Sequence, residues 1–317
     1  MKEGINDFKG GFMELKDIMM LYGVTLGSRK TRRKKNLFIQ TVLDTCKQDN
    51  IQASVVRGKE KMITTTSVVI GNLKTAKYVF LTGFDTPSKY FTPLNYYPFH
   101  PEKSSRAENV KNVIRLLFVI LLAIGAYFPL KEITSHNTTV WNVFGLIILL
   151  LGIVILLFPK ANTYNFSKSS SIAVMMKILE DTQNKSDIAY VLSDYSSSGY
   201  LGFESIKDQI NKNSNVIILG PLASGSKMVV AYKENNEKLG KSLANNISSP
   251  VIQKKYTQEE ATRNCLTLFQ NCVYVVCGDI EKKEFVVKNT ACSKDVSIDM
   301  NRLQEIVDGL EKEINNH

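Results

Sequence analysis

Three histidines, five cysteines and one serine-rich run are the side chains that could bind metal or act as nucleophiles. His100 sits in the loop-like phrase Tyr-Pro-Phe-His-Pro, His136 lies in the polar stretch Lys131–Thr139, and His317 is the last residue. Zinc needs imidazole, thiolate or carboxylate donors that converge, and no metal is expected on these three. Cys46, Cys265, Cys272, Cys277 and Cys292 are odd in number and contain no CxxC pair, which argues against a disulfide framework or a zinc finger. Cys272 and Cys277 are five apart in a strand-like run, so they face opposite sides and cannot chelate together. All five read as small buried hydrophobes. Serines crowd Ser193–Ser198, but no histidine accompanies a serine or cysteine in a nucleophile motif.

The densest charge is Arg29, Lys30, Arg32, Arg33, Lys34 and Lys35, six cations in seven residues at the start of a helical pattern. Cations there oppose the helix dipole, so an anionic partner is expected. Lipid head groups supply about 1 kcal/mol per cation near a membrane surface. The whole chain has 40 Lys+Arg against 30 Asp+Glu, a formal +10. Nucleic acid is disfavoured, because no aromatic residues interleave with the cations.

The elements that must position these groups are dominated by two apolar runs, 113–130 (VIRLLFVILLAIGAYFPL) and 140–158 (VWNVFGLIILLLGIVILLF). A helix crossing the hydrocarbon layer needs about 20 mostly apolar residues. The second run has no charge, and the first has only Arg115, near its start, where it can snorkel. Lys103, Arg106, Lys111 and Arg115 precede the first span and Lys160 follows the second. By the positive-inside rule both chain ends are expected in the cytoplasm, with the connecting loop outside a cell membrane. Unpaired thiols agree with a reducing compartment. The opening MKEGINDFKGGFMELK carries charges where an export signal needs an apolar core, so no cleaved signal is expected.

Around this hairpin the pattern is α/β. Helices are expected near 6–22 and 32–49, and strands at 61–69 and 78–82, before it. After it come a helix at 167–181 and strands at 188–192, 216–219, 228–232, 273–276 and 285–287. Further helical stretches fall near 202–211, 237–245, 258–269 and 301–314. Continuous apolar strands alternating with helices predict a sheet covered on both faces. The expected organisation is one discontinuous domain, residues 1–105 plus 160–317, interrupted by a membrane hairpin at 106–159.

Several phrases, taken in order, resemble the co-catalytic di-zinc aminopeptidases, a family that includes glutaminyl cyclases and the transferrin-receptor ectodomain. Leu21-Tyr-Gly-Val-Thr-Leu-Gly-Ser-Arg29 is similar to the family's opening "GxRxxGS". Tyr78-Val-Phe-Leu-Thr-Gly-Phe-Asp-Thr86 falls on a strand ending in "HxDT", and Ala161-Asn-Thr-Tyr-Asn-Phe-Ser167 on "GANDNAS". Ile188-Ala-Tyr-Val-Leu-Ser-Asp-Tyr-Ser-Ser-Ser-Gly-Tyr-Leu-Gly202 falls on "FVxFDGEExGLxG". Val216-Ile-Ile-Leu-Gly220 falls on the strand ending in a ligand aspartate, and Asn289-Thr-Ala-Cys-Ser-Lys-Asp295 on "HTxxD". The resemblance implies an aminopeptidase-like mixed sheet sandwiched by helices.

It also implies where the chemistry should lie, and there the chain departs. The family holds two zinc ions with two histidines and three carboxylates, and a glutamate acts as general base. In this sequence the first histidine position is Gly83, the bridging aspartate is Tyr164, and the glutamate pair is Ser196 and Ser197. The later aspartate is Gly220 and the last histidine is Asn289. None supplies a ligand or a base. Asp85, at the position of an aspartate that orients a metal-bound histidine, and Asp194 remain.

The expected function is therefore that of a non-hydrolytic, membrane-anchored pseudo-peptidase, a binding or scaffolding subunit of a transporter or peptide-maturation complex. A membrane protein partner is expected, anionic lipid head groups and a peptide are further candidates, and no cofactor is expected. The hairpin enters where the family's catalytic face lies, which would hold that face near the bilayer. The alternative is an active metallopeptidase or cyclase with a rebuilt zinc site, and a third reading is a phospholipid sensor.

Overall fold

The structure, a computed structural model, describes residues 13–316 apart from 61, 91, 137–138, 159, 161, 183–185, 197–199 and 263. Ten strands among the described residues form one mixed sheet. Before the hairpin these are β1 (Ala53–Glu60), β2 (Ile63–Ile70), β3 (Tyr78–Gly83) and β4 (Leu94–Tyr96). After it come β5 (Ile188–Ser193), β6 (Asn215–Leu219), β7 (Lys227–Lys233), β8 (Val251–Tyr256), β9 (Asn271–Glu281) and β10 (Glu284–Thr290). The order β1-β2-β5-β3-β6-β9-β10-β4, with β7 on β9 and β8 on β7, interleaves strands from both sides of the hairpin.

The helices are α1 (Leu15–Met20), α2 (Arg32–Gln48), α3 (Pro101–Thr134), α4 (Val140–Leu157), α5 (Phe166–Asp181), α6 (Leu201–Ile206), α7 (Glu237–Asn246), α8 (Gln258–Ala261) and α9 (Met300–Asn315). At the sheet centre β5, β3, β6 and β9 run parallel. Every residue of β3 and β5 is buried, as strands covered on both faces require. Alternation sorts their side chains into two layers. Tyr78, Phe80 and Tyr190 pack with apolar residues of α1, α2, α5, α7 and α9, whereas Val79, Leu81 and Val191 pack with those of α6 and α8. On α9, Leu303, Ile306, Val307, Leu310 and Ile314 form the buried stripe.

Several expectations need correction. β1, β4 and β8 are absent from the sequence reading because they are edge strands, β4 only three residues long and the other two with polar phrases such as Arg-Gly-Lys-Glu and Gln-Lys-Lys on half-solvated surfaces. The stretch 258–269 is helical only over α8, which opens with a capping box between Thr257 and Glu260, and then makes a separate 3₁₀ turn at Cys265–Leu268. The expected 6–22 helix begins outside the described residues. Within them it is the short α1, continued by a π-helical turn at Leu21–Thr25.

α3 and α4 are both long and apolar enough to cross a membrane. Neither is a core helix: Leu121, Ile148 and Ile155 are 63, 64 and 65 % exposed, and α4 buries no residue. The two helices pack on each other, with Gly152 against Leu122 and Gly125 against Leu149. α3 begins earlier than expected, at Pro101, a residue suited to a first helical position. Polar turns bearing Glu102, Arg106 and Glu108 therefore extend the helix back toward the sheet, and its first five residues, 101–105, fall inside the stretch 1–105.

Candidate functional site

The site is built on loops at the carboxyl ends of β3, β5 and β6, the edge where ligands sit in open parallel sheets. Arg29 organises the first loop. Its guanidinium is fully buried and donates to the carbonyls of Phe84, Tyr22 and Leu26, each at 2.6 Å, and to Ser169 Oγ at 3.0 Å. Its own N–H donates to Thr86 Oγ1 at 2.8 Å. Burial pushes the guanidinium down to about 9, and Asp85 and Tyr22 partly offset this, so it stays charged at neutral pH.

Within this frame Asp85 accepts from Ser196 N at 3.0 Å and Ser196 Oγ at 2.6 Å. The half-buried Lys168 Nζ lies 3.4 Å from Ser196 Oγ as donor. The result is a relay from ammonium through hydroxyl to carboxylate. It spends the Ser196 proton on Asp85 and its lone pair on Lys168, so the hydroxyl is held as a bridge. Burial lowers the Lys168 pKa, with Asp85 acting against that.

Two glycines show how closely side chains fill the space over the ends of β3 and β6. A β-carbon on Gly83 would overlap the Ser196 side chain, and one on Gly220 would meet Tyr274 Oη at 2.5 Å. Between them lies a cavity of about 20 Å³, lined by Gly83, Gly220, Lys168, Ser196, Tyr200 and Tyr274. That is the size of one water.

Lys35 Nζ holds the buried Asp194 carboxylate at 2.6 and 2.8 Å. Desolvation raises the Asp194 pKa, and the Lys35 contact acts against that. The expected membrane-facing cluster of six cations is thereby corrected. Arg29 precedes the helix and is interior, and Lys35 lies half-buried on the face of α2 that carries Phe38, Ile39 and Val42. Lys30 Nζ donates to Ser88 Oγ at 2.7 Å. Arg32, Arg33 and Lys34 are the exposed members.

The serine-rich start of α5 knits the site together. Ser170 Oγ accepts from Leu222 N, Ser171 Oγ from Thr82, and Ser169 Oγ from Arg29. Asp295 accepts from Ser167 N at 2.9 Å and also from Ser167 Oγ. Burial pushes the Asp295 carboxyl up to about 6, against those two donors. This end of α5 borders a second cavity, of about 1150 Å³, whose far wall is the start of α3.

Of the positions singled out by sequence, Gly83, Asp85, Ser196 and Gly220 converge. Tyr164 is 42 % exposed, outside the small cavity, and Asn289 lies on β10 in a left-handed conformation at φ 58°. Ser197 and His317 lie outside the described residues. His100 stands at the N-cap position of α3 without a side-chain capping bond and is exposed, as is His136 in the α3–α4 turn. All five cysteines are buried thiols, with Cys272 and Cys277 in opposite core layers. Sequence reasoning missed Lys168 and Tyr274. Lys168 directly follows the "GANDNAS"-like phrase, which is a usable signal; Tyr274 is one aromatic in an apolar strand and gives none.

Among the described residues no three His, Cys, Asp or Glu side chains are grouped to hold a metal ion. Ser196, Tyr274 and the Lys168 ammonium fill the space instead, and these residues do not fit a zinc pair.

No family model matches the sequence, and no curated protein matches it. Solved structures do match in fold. A glutaminyl cyclase from Porphyromonas gingivalis superposes with a TM-score of 0.58 at 10% identity, over 97% of this chain and 99% of that one. A Zn-dependent exopeptidase from Parabacteroides distasonis gives 0.58 at 9% identity, over 97% and 99%. A Bacteroides thetaiotaomicron glutaminyl cyclase bound to N-acetylhistamine gives 0.59 at 8%, over 97% and 99%. At such identities the likeness is one of fold: an aminopeptidase-like mixed sheet flanked by helices.

Proposed function

We propose that this chain is a membrane-anchored protein of aminopeptidase-like fold that binds or scaffolds and does not hydrolyse, serving as a subunit of a membrane complex such as a transporter or peptide-maturation assembly. The observation that carries the reading is the Ser196 side chain seated on Gly83, tied to Asp85 and Lys168, in the space a metal-binding side chain would need. Tyr274 against Gly220 supports it from the other side. Left-handed backbone at Tyr195, Tyr200, Asn289 and Ala291, near this edge, adds support for binding. Such strain costs roughly 1–3 kcal/mol per residue and collects at ligand-holding sites. The exposed apolar hairpin supports anchorage, with both chain ends on the cytoplasmic side.

The test is purification of the full chain in a mild detergent, with identification of co-eluting protein and assays on aminoacyl and N-terminal-glutaminyl reporters. A membrane protein in constant ratio and no turnover are expected. Turnover abolished by a chelator would assign a rebuilt metalloenzyme and end the reading.

A further inference from the structure

The larger cavity, about 1150 Å³, lies between the sheet edge and α3, and it is amphiphilic along its length. Its inner wall carries Lys168, Asn165, Ser167 and Asp295 from α5 and the segment before α9. Its outer wall includes Val110, Val113 and Ile114, where α3 turns apolar and enters the candidate span.

Two groups on the inner wall lack partners among the described residues. Asn165 is 0 % exposed, yet neither its Nδ2 nor its Oδ1 makes a hydrogen bond, and Asp295 Oδ2 is likewise buried without one. Buried polar atoms in folded proteins are nearly always satisfied, by protein, water or ligand. Both residues border the cavity, and among the described residues Lys168 donates to Ser196 alone, at 3.4 Å, leaving donor capacity in its ammonium.

Charge narrows the ligand. Lys168 and Arg106 face the cavity together with Glu102, Glu108, Glu204 and Asp295. A purely anionic head would meet more carboxylates than cations, and a purely cationic one would meet Lys168 beside Asn165. A head carrying both signs fits, with an apolar tail following α3 toward the hydrocarbon.

We infer that this cavity takes the head of a zwitterionic amphiphile such as an aminophospholipid: its acidic group on Lys168 and the Asn165 amide, its amine toward the carboxylates, its chains along Val110, Val113 and Ile114. The inference rests on the reading of the chain as a membrane-anchored binder, and it names the ligand of that same face.

The test is native mass spectrometry of the full chain, stripped of lipid in detergent and then offered phosphatidylethanolamine, phosphatidylglycerol or tail-free glycerophosphoethanolamine. One phosphatidylethanolamine per chain is expected, at least tenfold tighter than phosphatidylglycerol, with the tail-free head failing to compete. Lys168→Met should weaken retention tenfold or more. Asn109→Trp, which blocks the cavity from α3 without touching the α/β core, should do the same if Lys168→Met fails to fold. Lipid adhering to the outside of the hairpin would be unchanged by either variant. Equal retention of both lipids, equal retention in wild type and variants, competition by the tail-free head, or recovery of a peptide would each overturn the inference. Chelator-sensitive turnover, a separate readout, would instead overturn the reading on which it rests.

Discussion

The Ser196 hydroxyl donates to Asp85 Oδ1 at 2.6 Å, and it does so from the space that a side chain on Gly83 would occupy. Asp85 is therefore spent on holding the loop after β5 closed over the end of β3. Lys168 completes the exchange, with an ammonium standing beside a carboxylate on the face that a metal would need.

Replacing Gly83 by His should not restore a metal site and should unsettle the fold. Forcing side-chain volume into a packed interior costs typically about 1–3 kcal/mol. Thermal unfolding of Gly83→His should show a lowered midpoint, and adding Ser196→Gly should recover much of it. An undiminished midpoint for the single variant would show that the Ser196 loop opens freely.

The six cations near α2 should separate into two behaviours. Arg29→Ala leaves three carbonyls and Ser169 without their donor and opens a cavity beside Phe38, which should cost more than about 3 kcal/mol. Neutralising Arg32, Arg33 and Lys34 should leave stability within about 0.5 kcal/mol and weaken adhesion of the protein to anionic vesicles. Denaturant titration and vesicle co-sedimentation read the two effects. Equal destabilisation by both sets would contradict the assignment of Arg29 to the interior.

What the sequence made legible follows from where each signal comes from. β3 and β5 were readable because a strand covered on both faces is apolar throughout, as in Tyr-Val-Phe-Leu and Ile-Ala-Tyr-Val-Leu. β1 was not, since Arg57, Lys59 and Glu60 on a half-solvated edge resemble a loop. The order of local phrases located Gly83, Ser196 and Gly220 at one sheet edge. Composition alone could not show that Ser196 would fill the gap over Gly83, which is a property of loop closure. Arg29 was misassigned because a run of charge carries no facing information outside a helix. Lys168 escaped notice because a lysine in the first turn of a helix is ordinarily solvated.

The Asp295 carboxyl, pushed up to about 6 by burial, should leave a signature in stability against pH. An unfolded aspartate titrates near about 3.9. Between these values the folded chain holds a proton that the unfolded chain has lost, so stability falls as pH rises from about 4 to about 6, by at most about 3 kcal/mol. Below that window the penalty is absent, and above it the penalty is constant. Glu311, raised to about 7 by burial and its contact with Asp181, has the same sign, so wild type keeps a slope of its own. Denaturant midpoints across the range should show a shallower decline for Asp295→Asn, which keeps an acceptor for Ser167. Parallel curves would remove Asp295 from the account.

The hairpin should depend on its apolarity for insertion. A lysine at Ile148, an exposed position in α4, should raise the cost of insertion by about 2.5–3.5 kcal/mol. Cell fractionation should show the variant partly shifted from the alkali-resistant membrane pellet, and a thiol reagent confined to the outside should label a cysteine at His136 and none at Lys103. Wild-type protein recovered in the supernatant would refute anchorage.

The most direct measurement is elemental analysis of the full chain, purified without chelator and dialysed against trace zinc. Zinc well below one ion per chain is expected, since Ser196 and Tyr274 stand where ligands would have to project. Zinc bound in stoichiometric amount, and lost together with a reporter activity on chelation, would contradict it.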